Sequence, residues 1–85
     1  MLEKIDTLYE QAIAELEASA DGEALAAWYR RYLGRKGEVT LLLRATGMLP
    51  KEERAEFGKR ANSLRDALSA AYAERAEAVR QEELA

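Results

Sequence analysis

Cysteine and histidine are both absent from this chain of 85 residues. Without cysteine there is no disulfide framework, no thiolate metal site and no thiol nucleophile. Without histidine the commonest general base and the commonest metal ligand are gone. Self-contained catalysis is therefore not expected. Long apolar runs are also missing. The longest, residues 39–43 with Thr40 inside it, is far too short to cross a membrane. The first residues carry Glu3, Lys4 and Asp6 rather than an apolar core, so no secretory signal is expected. The default is a cytoplasmic protein with no membrane partner. A chain of this length makes one small domain at most, with a thin core.

What is present is charge, and it is segregated. The net charge is -3. Residues 1–29 hold Lys4 against Glu3, Asp6, Glu10, Glu15, Glu17, Asp21 and Glu23, a net of -6. Residues 30–65 reach +6, and residues 66–85 return to -3. A basic middle between two acidic flanks suits a polyanionic partner more than the acidic total implies.

The apolar residues recur at helical spacing. A first helix is predicted over about 2–19, with Leu2, Ile5, Tyr9, Ala12, Ile13 and Leu16 on one stripe. Asp21-Gly22 breaks it, and Asp21 suits the N-cap of a second helix over 22–33. The stripe there is Leu25, Trp28, Tyr29 and Tyr32. Gly34 stands where a left-handed C-cap would fall. A short third helix is predicted over 38–45, because no second strand exists to pair with 39–43. Gly47 ends it. Pro50 fits the first position of a last helix over 50–83, and Glu52 and Glu53 suit the positive pole of that helix. Phe57, Ala61, Leu64, Leu68 and Ala71 alternate by four and three, as a coiled-coil seam does.

The fold class expected is all-α: one domain over 1–85, an antiparallel helical hairpin with a short helix at its tip. A last helix of about 34 residues spans roughly 51 Å and the first two together roughly 45 Å, so the arms match. In that register Tyr29 faces Phe57, Leu16 faces Leu68, and Ile5 faces Val79. Arg75 falls on the seam, where Asp6 or Glu10 would answer it. The acidic flanks then share the open end and the cations surround the tip.

Three features invite a functional reading. Arg35-Lys36 sits between Gly34 and Gly37, where glycines allow a backbone to approach a phosphate. The spacing is that of neither a Walker loop nor a dinucleotide fingerprint, and an ordinary solvated turn is as good a reading. Arg54 and Arg65 lie on one shoulder of the seam of the last helix and Arg60 on the other, with Lys59 almost opposite the seam. Trp28, Tyr29, Tyr32 and Phe57 could stack bases, but their helical spacing reads far better as core.

The ordered set around the tip is more specific than any one of its pieces. Tyr32-Leu33-Gly34-Arg35-Lys36-Gly37 is followed by Thr40 and Leu42-Leu43. Then come Leu49-Pro50-Lys51-Glu52-Glu53-Arg54, Gly58 and Asn62. This set resembles the N-terminal helical arm of the bacterial phenylalanyl-tRNA synthetase (phenylalanine–tRNA ligase) alpha subunit, most strongly over residues 32–65. Ala55 stands where that family usually has proline, and Arg35 replaces a lysine with the charge kept.

The resemblance implies a tRNA-binding arm that meets the elbow of the phenylalanine tRNA during aminoacylation. It implies as partners the rest of the alpha subunit and a beta subunit in an (αβ)2 heterotetramer. ATP and Mg²⁺ would serve the parent class II ligase. No cofactor, metal or catalytic residue is expected in these residues, which resemble an arm without its catalytic domain. The tRNA-facing candidates are Arg35, Lys36 and Arg54, then Arg31, Arg44 and Arg65. The alternative is a helical protein-interaction module with no nucleic-acid role, offering an exposed seam near Ala71 and Val79.

Overall fold

The computed structural model describes residues 2–85, all of them in helices or short connections. The helices are α1 (Leu2–Glu17), α2 (Gly22–Tyr32), α3 (Glu38–Thr46) and α4 (Lys51–Leu84). Residues 39–43 are helical, and α4 is unbroken. Asp21 has extended backbone, and its side chain accepts the Ala24 amide at 2.8 Å, which starts α2. Pro50 sits just outside α4 rather than inside its first turn. Its carbonyl accepts the Glu53 and Arg54 amides. α2 ends without a left-handed residue: no described glycine has positive φ, and the Leu33 and Gly34 amides both donate to the Tyr29 carbonyl.

α4 sets the length of the molecule, 51 × 19 × 15 Å. α2 runs antiparallel to it. Gly22 lies beside Glu83, Leu25 shares a groove with Ala76 and Val79, and Trp28 stacks on Tyr72. α3 continues in the same direction, so that Thr46 meets Gly58. α1 does not extend α2. It folds back and runs parallel to α4, with Leu2 beside Phe57, Ile5 beside Leu64, and Ser19 under Arg75.

Three sequence-based expectations change as a result. Tyr29 faces Tyr72, at 5.1 Å between rings, rather than Phe57. Ile5 lies near Leu64 instead of Val79. The acidic first helix lies along the half of α4 that carries Lys59 and Arg60, not at the far end. The cause is the connection through Ala18, Ser19 and Ala20. The reversal lays α1 against α4 and α2, with the Ala12 carbonyl bonded to Trp28, and leaves Leu8 and Leu42 lining one groove between α1 and α3.

One core runs between the helices. It contains Ile5, Leu8, Ala12 and Leu16 of α1, Leu25, Trp28 and Tyr32 of α2, and Val39 and Leu42 of α3. α4 adds Phe57, Ala61, Leu64, Leu68 and Val79. Leu8 takes the place expected of Tyr9, which is exposed; Leu8 is buried and borders the groove it shares with Leu42 of α3. Val79 is covered by α2, so the exposed seam imagined near it is already in use. Arg75 is answered by a backbone group and not by a carboxylate. Its Nε and Nη2 donate to the Ser19 carbonyl at 3.1 and 3.0 Å. This closes the end of α1 onto α4, since that carbonyl lies past the last helical turn.

Candidate nucleic-acid interface

The turn at 34–37 joins α2 to α3 on the flank of the rod, not at its tip. Its glycines serve close packing. A Cβ on Gly37 would sit 2.5 Å from the Tyr32 carbonyl carbon, and one on Gly34 would sit 2.9 Å from the Arg30 carbonyl oxygen. The Gly34 carbonyl accepts the Gly37 amide at 2.9 Å and the Thr40 hydroxyl at 2.7 Å. Both glycine amides are therefore bonded within the protein, to Tyr29 and to Gly34. Neither glycine amide is free to meet a phosphate, and Arg35 and Lys36 are exposed on the turn between them.

The other motif residues also shape the corner. Gly58 lets α3 come close: a Cβ there would be 3.2 Å from Thr46 Cγ2. Asn62 donates to the Gly58 carbonyl at 2.8 Å, and Arg54 Nη2 to the Leu49 carbonyl at 3.0 Å.

Of the six candidate cations, Arg35, Lys36, Arg44 and Arg54 are exposed and form no ion pair among the described residues. Arg44 on the last turn of α3 and Arg54 on the first turn of α4 flank the corner. Arg35 and Lys36 lie at the opposite end of α3, roughly 13 Å away along its axis. Arg65 lies about 16 Å up α4 from Arg54 and pairs with its neighbour Asp66 at 3.1 Å. Arg31 is the least available. It pairs with Glu15 at 2.9 Å, reaches Glu38 at 3.6 Å, and lies over the Tyr32 ring.

Sequence reading missed Glu15, which ties α1 to α2 by accepting from both Arg31 and the Tyr32 hydroxyl. Gln11 also donates to the Tyr32 oxygen, at 3.1 Å. Burial, reinforced by the Glu15 carboxylate, pushes the Tyr32 hydroxyl up to about 12. The only signal in the sequence is the four-residue spacing of Gln11 and Glu15 beside the α1 stripe, one pattern among many carboxylates.

The two shoulders of α4 differ. Position 58 faces α3, so the neighbouring positions 54, 62 and 65 border α3 as well. Lys59 and Arg60 share a groove with Ile5, Asp6 and Tyr9 of α1, and Arg60 pairs with Glu56 at 3.2 Å. Lys4 also departs from expectation. It lies in the α1–α3 groove with Leu41, Leu42 and Ala45, rather than at a remote acidic end.

Among the described residues no three carboxylates are grouped to hold a metal ion, and no helix is long and apolar enough to cross a membrane. With the glycine amides occupied, these residues do not fit ATP with Mg²⁺.

Residues 20–85, from the α1–α2 connection onward, match the family described as aminoacyl tRNA synthetase class II, N-terminal domain, and the chain belongs to that family. Its curated relatives include phenylalanine–tRNA ligase alpha subunits. The one from Moorella thermoacetica is 44% identical over 85 residues, covering 100% of this chain and 25% of the relative. Those from Desulforamulus reducens and Clostridium acetobutylicum are 45% and 37% identical, over 88% and 98% of this chain and 22% and 24% of theirs. The chain thus spans about a quarter of the length of the curated relatives it matches.

Proposed function

We propose that this chain is the tRNA-binding arm of a phenylalanyl-tRNA synthetase. The observation that carries the reading is that Arg35, Lys36 and Arg44 are exposed without ion pairs in a chain of net charge -3, within this family. Cations left without a carboxylate are free to release counterions from a phosphate backbone. In this reading the arm positions the tRNA at its elbow while the remainder of a cytoplasmic (αβ)2 enzyme attaches phenylalanine with ATP and Mg²⁺. The arm itself binds and does not catalyse. Phosphate contacts fix register and carry no base identity, so selection of the cognate tRNA belongs to other parts of the parent.

The test is equilibrium binding of tRNA across a salt series. Arg35→Gln with Lys36→Gln should weaken binding and flatten the salt dependence by about two contacts, each contributing roughly 0.7–0.9 to the slope. Arg80→Gln is the control, because Arg80 pairs with Glu77 at 2.6 Å at the opposite end of α4. Equal binding by the double variant and the control would remove this surface from the reading.

A further inference from the structure

We propose that the rod is electrostatically one-sided. Nucleic acid lies along the α3-facing shoulder of α4, and the acidic face of α1 excludes it from the opposite shoulder. This rests on the tRNA-binding reading and adds to it a choice of face, a further contact residue and a role for α1.

At about 100° per residue, positions 51, 54, 55, 58, 62 and 65 share an arc of about 100° on α4. They are Lys51, Arg54, Ala55, Gly58, Asn62 and Arg65, with no carboxylate among them. Ala55 keeps the exposed edge of this arc low, so a sugar–phosphate backbone can approach it closely, while Gly58 is taken up by Thr46 of α3. Asn62 is exposed beside Gly58. Its Nδ2 holds the Gly58 carbonyl, which leaves its side-chain oxygen turned from that bond and able to accept a 2′-hydroxyl.

The opposite shoulder has two cations, in a different setting. Lys59 and Arg60 face Asp6 across the α1–α4 groove, and Glu56 lies in the same groove. Glu10 is one turn on from Asp6 on the same side of α1. Glu3 borders the adjoining groove with Glu52, Glu53 and Glu56. The cation of α1, Lys4, is on its other side, facing α3. The folded-back α1 therefore places carboxylates beside one cationic shoulder and none beside the other. Like charge facing a phosphate suppresses the wrong docking mode, as a repulsive element does in any specific interface.

The experiment compares charge-neutralised pairs in the 85-residue chain, using unfractionated tRNA at about 50 and 200 mM salt. Arg54→Gln with Arg65→Gln should weaken binding at least fivefold and lower the salt slope by roughly 1.4–1.8. Lys59→Gln with Arg60→Gln should change affinity less than twofold. In an Asp6→Asn, Glu10→Gln background tRNA should bind more tightly, and the Lys59/Arg60 pair should then matter. Arg65→Gln with Asn62→Ala repeats the first comparison without touching the Arg54–Leu49 bond, in case that bond is needed for folding. If wild type binds tRNA but both pairs cost the same, or the acidic substitutions change nothing, sidedness is wrong and the binding reading stands. If wild type binds no tRNA at low salt, both fall.

Discussion

Trp28 donates its indole N–H to the main-chain carbonyl of Ala12 at 2.9 Å, within the core and across 16 residues of chain. The same ring stacks on Tyr72, with centroids 5.7 Å apart and planes within 6°. One side chain of α2 thus fastens both α1 and α4. Trp28→Phe should keep most of the packing and lose the bond, costing about 1–2 kcal/mol. The loss should fall on α1. Hydrogen exchange in Trp28→Phe should accelerate at Leu8 to Leu16 more than in the middle of α4, and uniform acceleration would argue against the fastening role.

Leu64 and Leu68 sit at the level where α4 meets the other helices, 4% and 0% exposed. Each change to alanine should cost roughly 2–5 kcal/mol, with Leu68 the costlier because it has no contact with solvent. Urea melts measure both. Equal stability of either variant and wild type would mean that the helices are packed differently.

Two glycine substitutions should have different outcomes. Gly37→Ala places a methyl 2.5 Å from main-chain atoms that cannot move, so a loss above about 2 kcal/mol is expected. Gly58→Ala meets only a methyl of Thr46 at 3.2 Å and gains about 1 kcal/mol of helix propensity, so its net effect should lie within about 1 kcal/mol of zero. Thermal melts of the pair distinguish a packed turn from a flexible loop, in which Gly37→Ala would be harmless.

Tyr32 links stability to alkaline pH. Its hydroxyl is held up to about 12 in the folded chain by burial and by the Glu15 carboxylate, against about 10 when unfolded. The neutral phenol is the favoured folded form. Its contribution is complete below pH 10, and it disappears as pH rises from about 10 to about 12, a change on the order of 2 kcal/mol. Tyr32→Phe should remove that part of the pH dependence, so the wild-type minus variant difference should shrink across this window. A constant difference would place the hydroxyl in water.

The elements were legible in the sequence because their signals are local. Asp21, Gly47 and Pro50 mark helix ends by their own chemistry, and the Phe57 to Leu68 spacing marks the α4 seam. The direction of α1 was not legible. Its stripe can pair with α4 in either sense, and three residues between Glu17 and Asp21 decide between a bend and a reversal. Tyr9 and Leu8 show the same limit, since which of them is buried depends on how α1 is rotated against its neighbours, and the α1 stripe alone does not reveal that. At the candidate site the cations could be named, but their sorting could not. Arg31 and Arg35 look alike in sequence, and only the positions of Glu15 and Glu38 separate a paired arginine from a free one.

The reversal of α1 also orders the assembly of the chain in time. Thr46 and Gly58 meet across 12 residues, whereas Ser19 and Arg75 meet across 56. Closing the longer loop costs about 1.4 kcal/mol more in chain entropy, and contacts between distant residues form later. The α3–α4 corner is therefore the part that forms first, and α1 and α2 close onto α4 last. Trp28 and Ala12, 16 residues apart, can meet early. The slow final step in refolding is the docking of α1 and α2 on α4, seen by tryptophan fluorescence as Trp28 stacks on Tyr72. The corner and its cations should be in place before it begins.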